Sequence, residues 1–327
     1  MFENDKLRIG PPSYRKDLFM MPGRGGKLRK GKKWELPKYF TEMGLNAYEF
    51  SAGRMSKFSD GEKYRKFRAE LKKFDLKTSI HAPYYISLTS KSKETYEKSI
   101  ERVAKVYAWA SYLDADRIVV HPGTYRGIHK RKNVDLRSIM GTKSRSTTFE
   151  EKLNELLEKI VKGIQKGIET SYEMFPNKKS EFKKICLCPE TMGKLGQLGT
   201  VQEVIRICKE LGTNVARPCI DFGHLYARSR GGLDNRKMYE DVFAQVESEL
   251  GSHVLKNLHI HFSHIAYTPK GEEKHVSNNN EDWGPQIEPL FKIIKEQNLT
   301  PIIINESPSL EPDAKILMDL WKKRFKN

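Results

Sequence analysis

The sequence has few cysteines and no long apolar run. Its four cysteines form none of the CxxC pairs that zinc fingers use, and they are too few for a disulfide framework. No apolar stretch approaches the ~18–20 residues that span a bilayer, and the opening MFENDKLRIGPP lacks the charged-then-apolar pattern of a signal peptide. We therefore expect a soluble cytoplasmic protein with reduced thiols and no membrane partner.

Acidic residues are scarce relative to basic ones. The chain has 59 Lys and Arg against 42 Asp and Glu, which gives a formal charge of +17. Such an excess raises the local concentration of polyanions and speeds their encounter with the protein. Proteins from hot environments also have highly charged surfaces, but this explanation does not require the excess to be positive. Nucleic acid is the expected partner.

Short apolar, β-rich segments alternate with longer helical patterns. The segments are 7–9, 47–50, 78–85, 117–121, 185–190, 218–221, 258–262 and 301–306. The clearest helix has apolar side chains at three-and-four spacing from Phe149 to Ile168, and others are predicted at about 60–74, 92–113, 200–211, 236–251, 285–297 and 311–325. This alternation predicts an α/β fold, a (β/α)8 TIM barrel, with residues 1–327 forming one domain.

Two predicted loops carry much of the positive charge. Residues 11–33 contain GRGG and several lysines, and residues 124–148 contain RGIHKRKN and KSRS. Both follow a predicted strand and precede a helix, so in a barrel they would be long basic βα loops on the face that carries the active site. One charged loop is usually only solvated, but two on the same face favour contact with a phosphate backbone.

Metal-ligand residue types recur on successive predicted strands, mostly at their ends. In chain order they are His81, His121, Glu190, Asp221, His259 and Glu306. A single residue of this kind is more often a hydrogen-bonded core residue, but six in order favour a metal site. Buried carboxylates close to one another are strongly unfavourable unless cations neutralise them. A mixture of imidazole and carboxylate suits zinc, and manganese and iron are also compatible.

Three further residues extend this set. His224 stands three residues after Asp221, and Glu273 and His275 flank Lys274 after the seventh strand. They are candidates for an additional metal. Taken alone, Glu273 and His275 would be interpreted as part of an ordinary polar loop.

The segments around these residues resemble the endonuclease IV family of apurinic/apyrimidinic (AP) endonucleases, which are trinuclear zinc enzymes on a xylose-isomerase-like TIM barrel. The segments are SIHAPY, VVHPG, CPETMGKLGQLGT, CIDFGH, LHIHFS with the following EKH, and PIIINES. The resemblance implies three zinc ions per chain, with manganese also compatible at the third site. By position, it implies one site from His81, His121 and Glu190, a second from Glu190, Asp221, His259 and Glu306, and a third from His224, Glu273 and His275.

Two of these assignments depart from the family pattern or leave an alternative. The family has Asp in the Asp-x-His of the third site, whereas this chain has Glu273, which is one methylene longer. On the seventh strand His259 is chosen because Ser263 follows it at the family's spacing. Alternation along a strand points His261 to the same side as His259, so His261 stays an alternative.

The resemblance also implies a function in DNA repair. The expected reaction is hydrolysis of the phosphodiester 5′ to an abasic site in duplex DNA, which leaves a 3′-hydroxyl and a 5′-deoxyribose phosphate. Glu190 is the predicted catalytic residue, as a metal ligand that orients the nucleophile. Tyr84 and Arg54 match positions from which the family inserts side chains into DNA, although a packed rim aromatic and a surface ion-pair partner would explain them equally well. We expect a monomer.

The main alternative is a metal-dependent sugar isomerase or epimerase of the xylose-isomerase-like barrel type. Such an enzyme shares the strand-end ligands, binds fewer metals and acts on a small neutral substrate. The additional residues His224, Glu273 and His275, together with the basic loops, favour a nucleic-acid phosphate. A non-catalytic protein that binds damaged DNA would be favoured only by an incomplete set of ligands.

Overall fold

Eight parallel strands form a closed barrel in the computed structural model, which describes residues 5–23, 27–53, 62–125, 147–233 and 235–325. In chain order the strands β1 to β8 are Arg8–Gly10, Ala47–Ser51, Lys77–His81, Arg117–Val120, Cys186–Pro189, Cys219–Asp221, His259–Phe262 and Ile302–Asn305. One half pairs in the order β1, β8, β7, β6, and the other in the order β2, β3, β4, β5.

The two halves meet at both seams. Glu190 and Cys219 form a parallel bridge between β5 and β6. The other seam lies between β1 and β2. There the amide of Asn46, the residue before β2, donates to the carbonyl of Ile9 in β1 at 3.1 Å. The sheet is therefore closed, and the predicted TIM barrel is confirmed.

One main helix follows each strand and covers the outside of the barrel. The helices α1 to α8 are Leu36–Glu42, Glu62–Lys73, Lys93–Tyr112, Thr147–Met174, Val201–Leu211, Arg236–Leu250, Ile287–Glu296 and Glu311–Arg324. Seven of them agree with the predicted helices to within a few residues. The periodicity did not predict α1, because seven residues make barely two helical turns.

The strands are short and apolar because both of their faces are covered. All four residues are buried in β4, β5, β7 and β8. Among the described residues, the buried polar side chains near the carboxyl ends of the strands include Asp221, His261 and Asn305. This makes each buried acid or histidine on a strand informative.

The structure differs from the prediction in three segments. The predicted loop 11–33 contains an antiparallel hairpin between Met20–Pro22 and Leu28–Lys30. The third strand ends at His81 rather than at 85, since Pro83 has no N–H to continue the pairing. After β7 the chain forms a second hairpin between His264–Thr268 and Gly271–Val276.

Residues 126–146 of the second predicted basic loop lie outside the described residues. Among the described helices, none is both long and apolar enough to cross a membrane. The assignment of residues 1–327 to one domain stays a prediction.

Candidate metal centre

Glu190 lies at the middle of the polar cluster inside the carboxyl end of the barrel. Its side chain is fully buried, directly after β5. Oε2 is 3.4 Å from His81 Nε2 and 3.1 Å from His121 Nε2, whereas Oε1 is 3.0 Å from His261 Nδ1. The two carboxylate oxygens thus face different histidines, and one side chain connects two groups of donors.

The largest group combines the ends of β5, β6, β7 and β8. Ligand atoms of its four residues all lie within 4.8 Å of one another; the residues are Glu190, Asp221, His261 and Glu306. His261 Nδ1 is also 3.5 Å from Glu306 Oε1. His81, Glu190 and His261 form a second group, whose ligand atoms also lie within 4.8 Å of one another. The His121 ring lies beside the His81 ring, and their centroids are 5.0 Å apart.

A third group lies beside the first two and contains His224, Glu272 and His275. His224 belongs to the short helix Phe222–Arg228 that begins directly after β6, where the Asp221 carboxylate accepts the His224 amide at 2.7 Å. Its Nε2 is 3.5 Å from Glu272 Oε2. Because the helix begins here, Asp221 lies in the four-residue group and His224, three residues later, lies in the adjacent third group.

The structure places His261, rather than the predicted His259, in the four-residue group. His261 pairs with Asp221 across the β6–β7 ladder, whereas His259 pairs with Cys219, two residues deeper in the barrel. Both rings point inward, as the alternation predicts, but only the residue nearer the carboxyl end reaches Glu190. The structure thus places the alternative, His261, in the four-residue group, and the preferred His259 in a different group, with Cys219 and His261.

Glu272, rather than the predicted Glu273, faces His224. Pairing in the second hairpin runs from Ala266 with Lys274 to Tyr267 with Glu272, so Glu273 is the extra residue of a β-bulge. A bulge interrupts the alternation of side chains between the two faces of a strand. As a result Glu272 and His275 share one face, and Glu273 is exposed.

Burial and charge compete at these carboxylates. Burial would raise the pKa of Glu190, but the neighbouring histidines, His261 first, hold it well below its ordinary value. The same competition lowers the pKa of Glu306 to about 2, whereas burial dominates at Asp221 and raises its pKa to about 6. At His81 burial would lower the pKa, but Glu190 raises it to about 9. Nearby positive charge is therefore what favours the ionised form of these carboxylates.

Metal ions fit this arrangement better than protons do. Glu190 Oε2 and Asp221 Oδ2 are buried, and neither accepts a well-formed hydrogen bond from the described residues. An unsatisfied buried acceptor costs about 1–3 kcal/mol, and more when it is charged. A cation between these oxygens and the imidazoles would satisfy them, and metal binding commonly displaces protons in this way. The imidazole and carboxylate donors suit zinc.

A cavity of about 390 Å³ opens over the three groups, and His81, His121, Glu190, His224 and Glu306 are among its lining residues. Tyr84 stands at its mouth with 76% of its surface exposed. Lys194 is the lysine among the lining residues. Arg54, the other predicted DNA-binding residue, lies outside the described residues.

Sequence reasoning missed Glu49 as well as Glu272. Glu49 lies in the middle of β2, is fully buried, and contacts both His259 and His261. The available signal was an acidic residue inside the otherwise strand-like segment AYEFS. Its position away from the strand end kept it out of the predicted set.

A family model described as xylose isomerase-like TIM barrel matches residues 38–324. The chain belongs to this family. An uncharacterized protein of Methanocaldococcus jannaschii is 32% identical over 251 residues, which cover 76% of this chain and 78% of the relative. A probable endonuclease 4 of Natranaerobius thermophilus is 24% identical over 246 residues, 73% of this chain and 76% of the relative. The resemblance to endonuclease IV is confirmed.

Solved structures share this fold at lower identity. Endonuclease IV from Thermus thermophilus superposes with a TM-score of 0.62 at 17% identity, over 90% of this chain and 96% of that one. A D-tagatose 3-epimerase-like protein superposes with a TM-score of 0.56 at 16% identity, over 88% and 91%. The fold alone therefore does not choose between a nuclease and a sugar epimerase.

Proposed function

We propose that this protein is a zinc-dependent AP endonuclease of DNA repair. It hydrolyses the phosphodiester 5′ to an abasic site in duplex DNA and leaves a 3′-hydroxyl and a 5′-deoxyribose phosphate. The observation that carries this proposal is the presence of three adjacent donor groups, two of which share Glu190. The similarity to relatives named probable endonuclease 4 also supports a nuclease.

The donors divide into three sites. We assign the first zinc to His81, His121 and Glu190, the second to Glu190, Asp221, His261 and Glu306, and the third to His224, Glu272 and His275, where manganese also fits. When bound, these ions would supply the positive charge that hydrolysis requires at the phosphate, the attacking water and the leaving oxygen. An epimerase that binds one metal would need only the four-residue group, so the other donors favour a phosphodiester substrate.

Glu190 is the catalytic residue in this proposal. One oxygen faces His121 and the other faces His261, so the carboxylate connects the first and second donor groups and fixes their relative positions. In the reaction the water oxygen forms a bond to phosphorus and the bond from phosphorus to the 3′ oxygen breaks. That oxygen leaves as the 3′-hydroxyl after it takes up a proton. Burial of Glu190 prevents bulk water from competing for its oxygens.

The rim of the cavity provides the contacts to DNA in this proposal. An abasic nucleotide has no base to unstack, so rotating it out of the helix costs less than rotating an intact one. The exposed Tyr84 ring is placed to fill the gap in the base stack, and Lys194 offers a cation to the phosphate. Arg54 is included on the basis of the resemblance.

The test is a cleavage assay with measured metal content. Purified protein is analysed for bound metal and then given a duplex with one abasic analogue, with and without a chelator. We expect about three zinc ions per chain and cleavage 5′ to the lesion that the chelator abolishes and added zinc restores. Binding without cleavage would contradict the proposed activity. Metal binding without DNA binding would favour the sugar enzyme.

A further inference from the structure

Three polar side chains converge on the buried carboxylate of Glu49. The Ser79 hydroxyl donates to Oε2 at 2.6 Å, and His259 Nε2 is 3.1 Å from the same oxygen. His261 Nε2 is 3.0 Å from the other oxygen, Oε1, although neither atom makes a well-formed hydrogen bond with the described residues. Since Ser79 lies on β3 and the two histidines lie on β7, contacts from different strands hold the carboxylate in place.

Each ring nitrogen of His261 faces a different carboxylate. Nδ1 is 3.0 Å from Glu190 Oε1, on the side of the proposed metals, and Nε2 faces Glu49. A neutral imidazole carries one N–H, and the partner of one nitrogen decides which nitrogen is free to bind a metal. When a metal ion takes the place of the proton between Nδ1 and Glu190, the single N–H of the neutral ring lies at Nε2, where it faces Glu49.

Other histidines of the centre have equivalent partners. His81 Nδ1 is 2.9 Å from the Ala82 carbonyl, and His224 Nδ1 is 2.9 Å from the Thr191 carbonyl. For each of these rings the backbone carbonyl favours the N–H on Nδ1 and leaves Nε2 for a metal. For His261 a side chain from another strand occupies the equivalent place, which makes that contact accessible to mutation.

We propose that Glu49 is a positioning residue that sets the tautomer and orientation of His261 in the four-residue group. This inference rests on the proposed metal centre and adds a residue that does not line the cavity. His259 then supports Glu49 from below, since its Nε2 contacts the oxygen that also accepts from Ser79. Two residues, Glu49 and His261, thus lie between His259 and the proposed metal.

The first test compares zinc affinity among variants by competition with a chelator. Glu49→Gln keeps the side-chain size but removes the charge, and its amide can present an N–H to His261 Nε2. We expect zinc affinity to fall about 10- to 100-fold, as for other residues that support metal ligands. Circular dichroism should show a retained fold, and Glu49→Asp should recover part of the affinity because it restores a carboxylate.

Glu311→Gln is the matched control. Glu311 is also a fully buried glutamate, but it accepts hydrogen bonds from the Arg15 amide at 2.9 Å and the Tyr39 hydroxyl at 3.0 Å, and these contacts include no proposed ligand. Its zinc affinity should equal that of the wild type. Equal losses in Glu49→Gln and Glu311→Gln would overturn the positioning role, since any buried charge would then have the same effect.

The second test reads the tautomer directly in zinc-loaded wild-type protein, whether or not Glu49→Gln folds. Nitrogen NMR of ¹⁵N-histidine-labelled protein, with the His261 signals identified from His261→Gln, should show Nδ1 bound to metal and Nε2 protonated. Coordination through Nε2 would overturn the inference and leave the proposed nuclease intact. A correct tautomer with weakened zinc binding in Glu49→Gln, but no cleavage of abasic DNA, would overturn the nuclease alone.

Discussion

Glu190 and Glu203 are both buried glutamates, but their surroundings differ. Glu203 accepts hydrogen bonds from the Tyr125 hydroxyl at 2.6 Å and from the Gly199 and Thr200 amides at 3.0 Å. The fully buried Arg228 lies beside this network and donates to Tyr125. Glu190 instead faces histidines, and its Oε2 accepts no well-formed hydrogen bond from the described residues.

The difference separates a carboxylate held by fixed donors from one that we propose as a metal ligand. The donors around Glu203 are backbone amides and a hydroxyl, which cannot exchange their protons for a cation. They join the start of α5 to the preceding segment, where the Arg228 side chain also donates to the Met192 and Lys194 carbonyls. The histidines around Glu190 can lose their protons to solvent when metal ions bind in their place. Burial of a glutamate is therefore less informative than the chemistry of its partners.

Glu190→Gln should have the largest effect. The amide removes one negative charge from the centre of two proposed metal sites, so abasic-site cleavage should fall by about 100-fold or more, as for loss of other electrostatic contributions to catalysis. Rates are measured with the abasic duplex under single-turnover conditions, together with circular dichroism. Near-normal turnover in a folded variant would remove Glu190 from the mechanism. Glu190 and Glu203 would then no longer differ in their contribution to catalysis.

Glu203→Gln should cost stability rather than activity. Loss of the carboxylate leaves buried donors poorly paired, which costs about 1–3 kcal/mol of unfolding free energy. The folded protein should retain cleavage. Urea unfolding at pH 7 and the single-turnover assay measure the two effects, and a variant with normal stability but no cleavage would reverse the comparison.

The cost of Glu203→Gln should also depend on pH. Burial opposes ionisation of Glu203, but the Arg228 charge and hydrogen bonds lower its pKa in the folded protein. A carboxyl with a lowered folded pKa stabilises the protein above its unfolded pKa, about 4.3, and loses that contribution as the pH falls through the folded pKa. The stability difference between wild type and variant should therefore shrink below about pH 4.3. A difference that grows on acidification would contradict this sign.

Tyr84→Ala should have the smallest effect of the three substitutions, because Tyr84 lies on the exposed rim outside both networks. Loss of one stacking ring costs about 1 kcal/mol at the lower end of measured values, which corresponds to roughly a fivefold loss of preference for abasic over intact duplex. Tyr84→Phe keeps the ring and is the matched control. Competition binding with the two duplexes measures the preference, and an unchanged ratio would exclude insertion of this side chain.

The sequence was sufficient for the barrel and for most of the centre. The spacing of apolar residues along the chain indicates both the type of element and its buried face. The eight strands and seven of the eight main helices were therefore predictable. His81, His121, Glu190, Asp221 and Glu306 also follow from their places at strand ends, since parallel strands of a barrel bring their carboxyl ends together. The positions of His224 after Asp221 and of His275 after the seventh strand added two more candidates, which the structure places in the third donor group.

Only the tertiary structure decided which of two similar residues reaches the centre. His259 and His261 point the same way along β7, and the depth of each in the barrel depends on pairing with β6, which one strand's sequence does not contain. Glu272 and Glu273 exchange places because one bulge reverses the alternation in the second hairpin. The same holds for the two glutamates compared above. Glu190 and Glu203 are the same residue type, and contacts between distant segments made one structural and left the other open to metal.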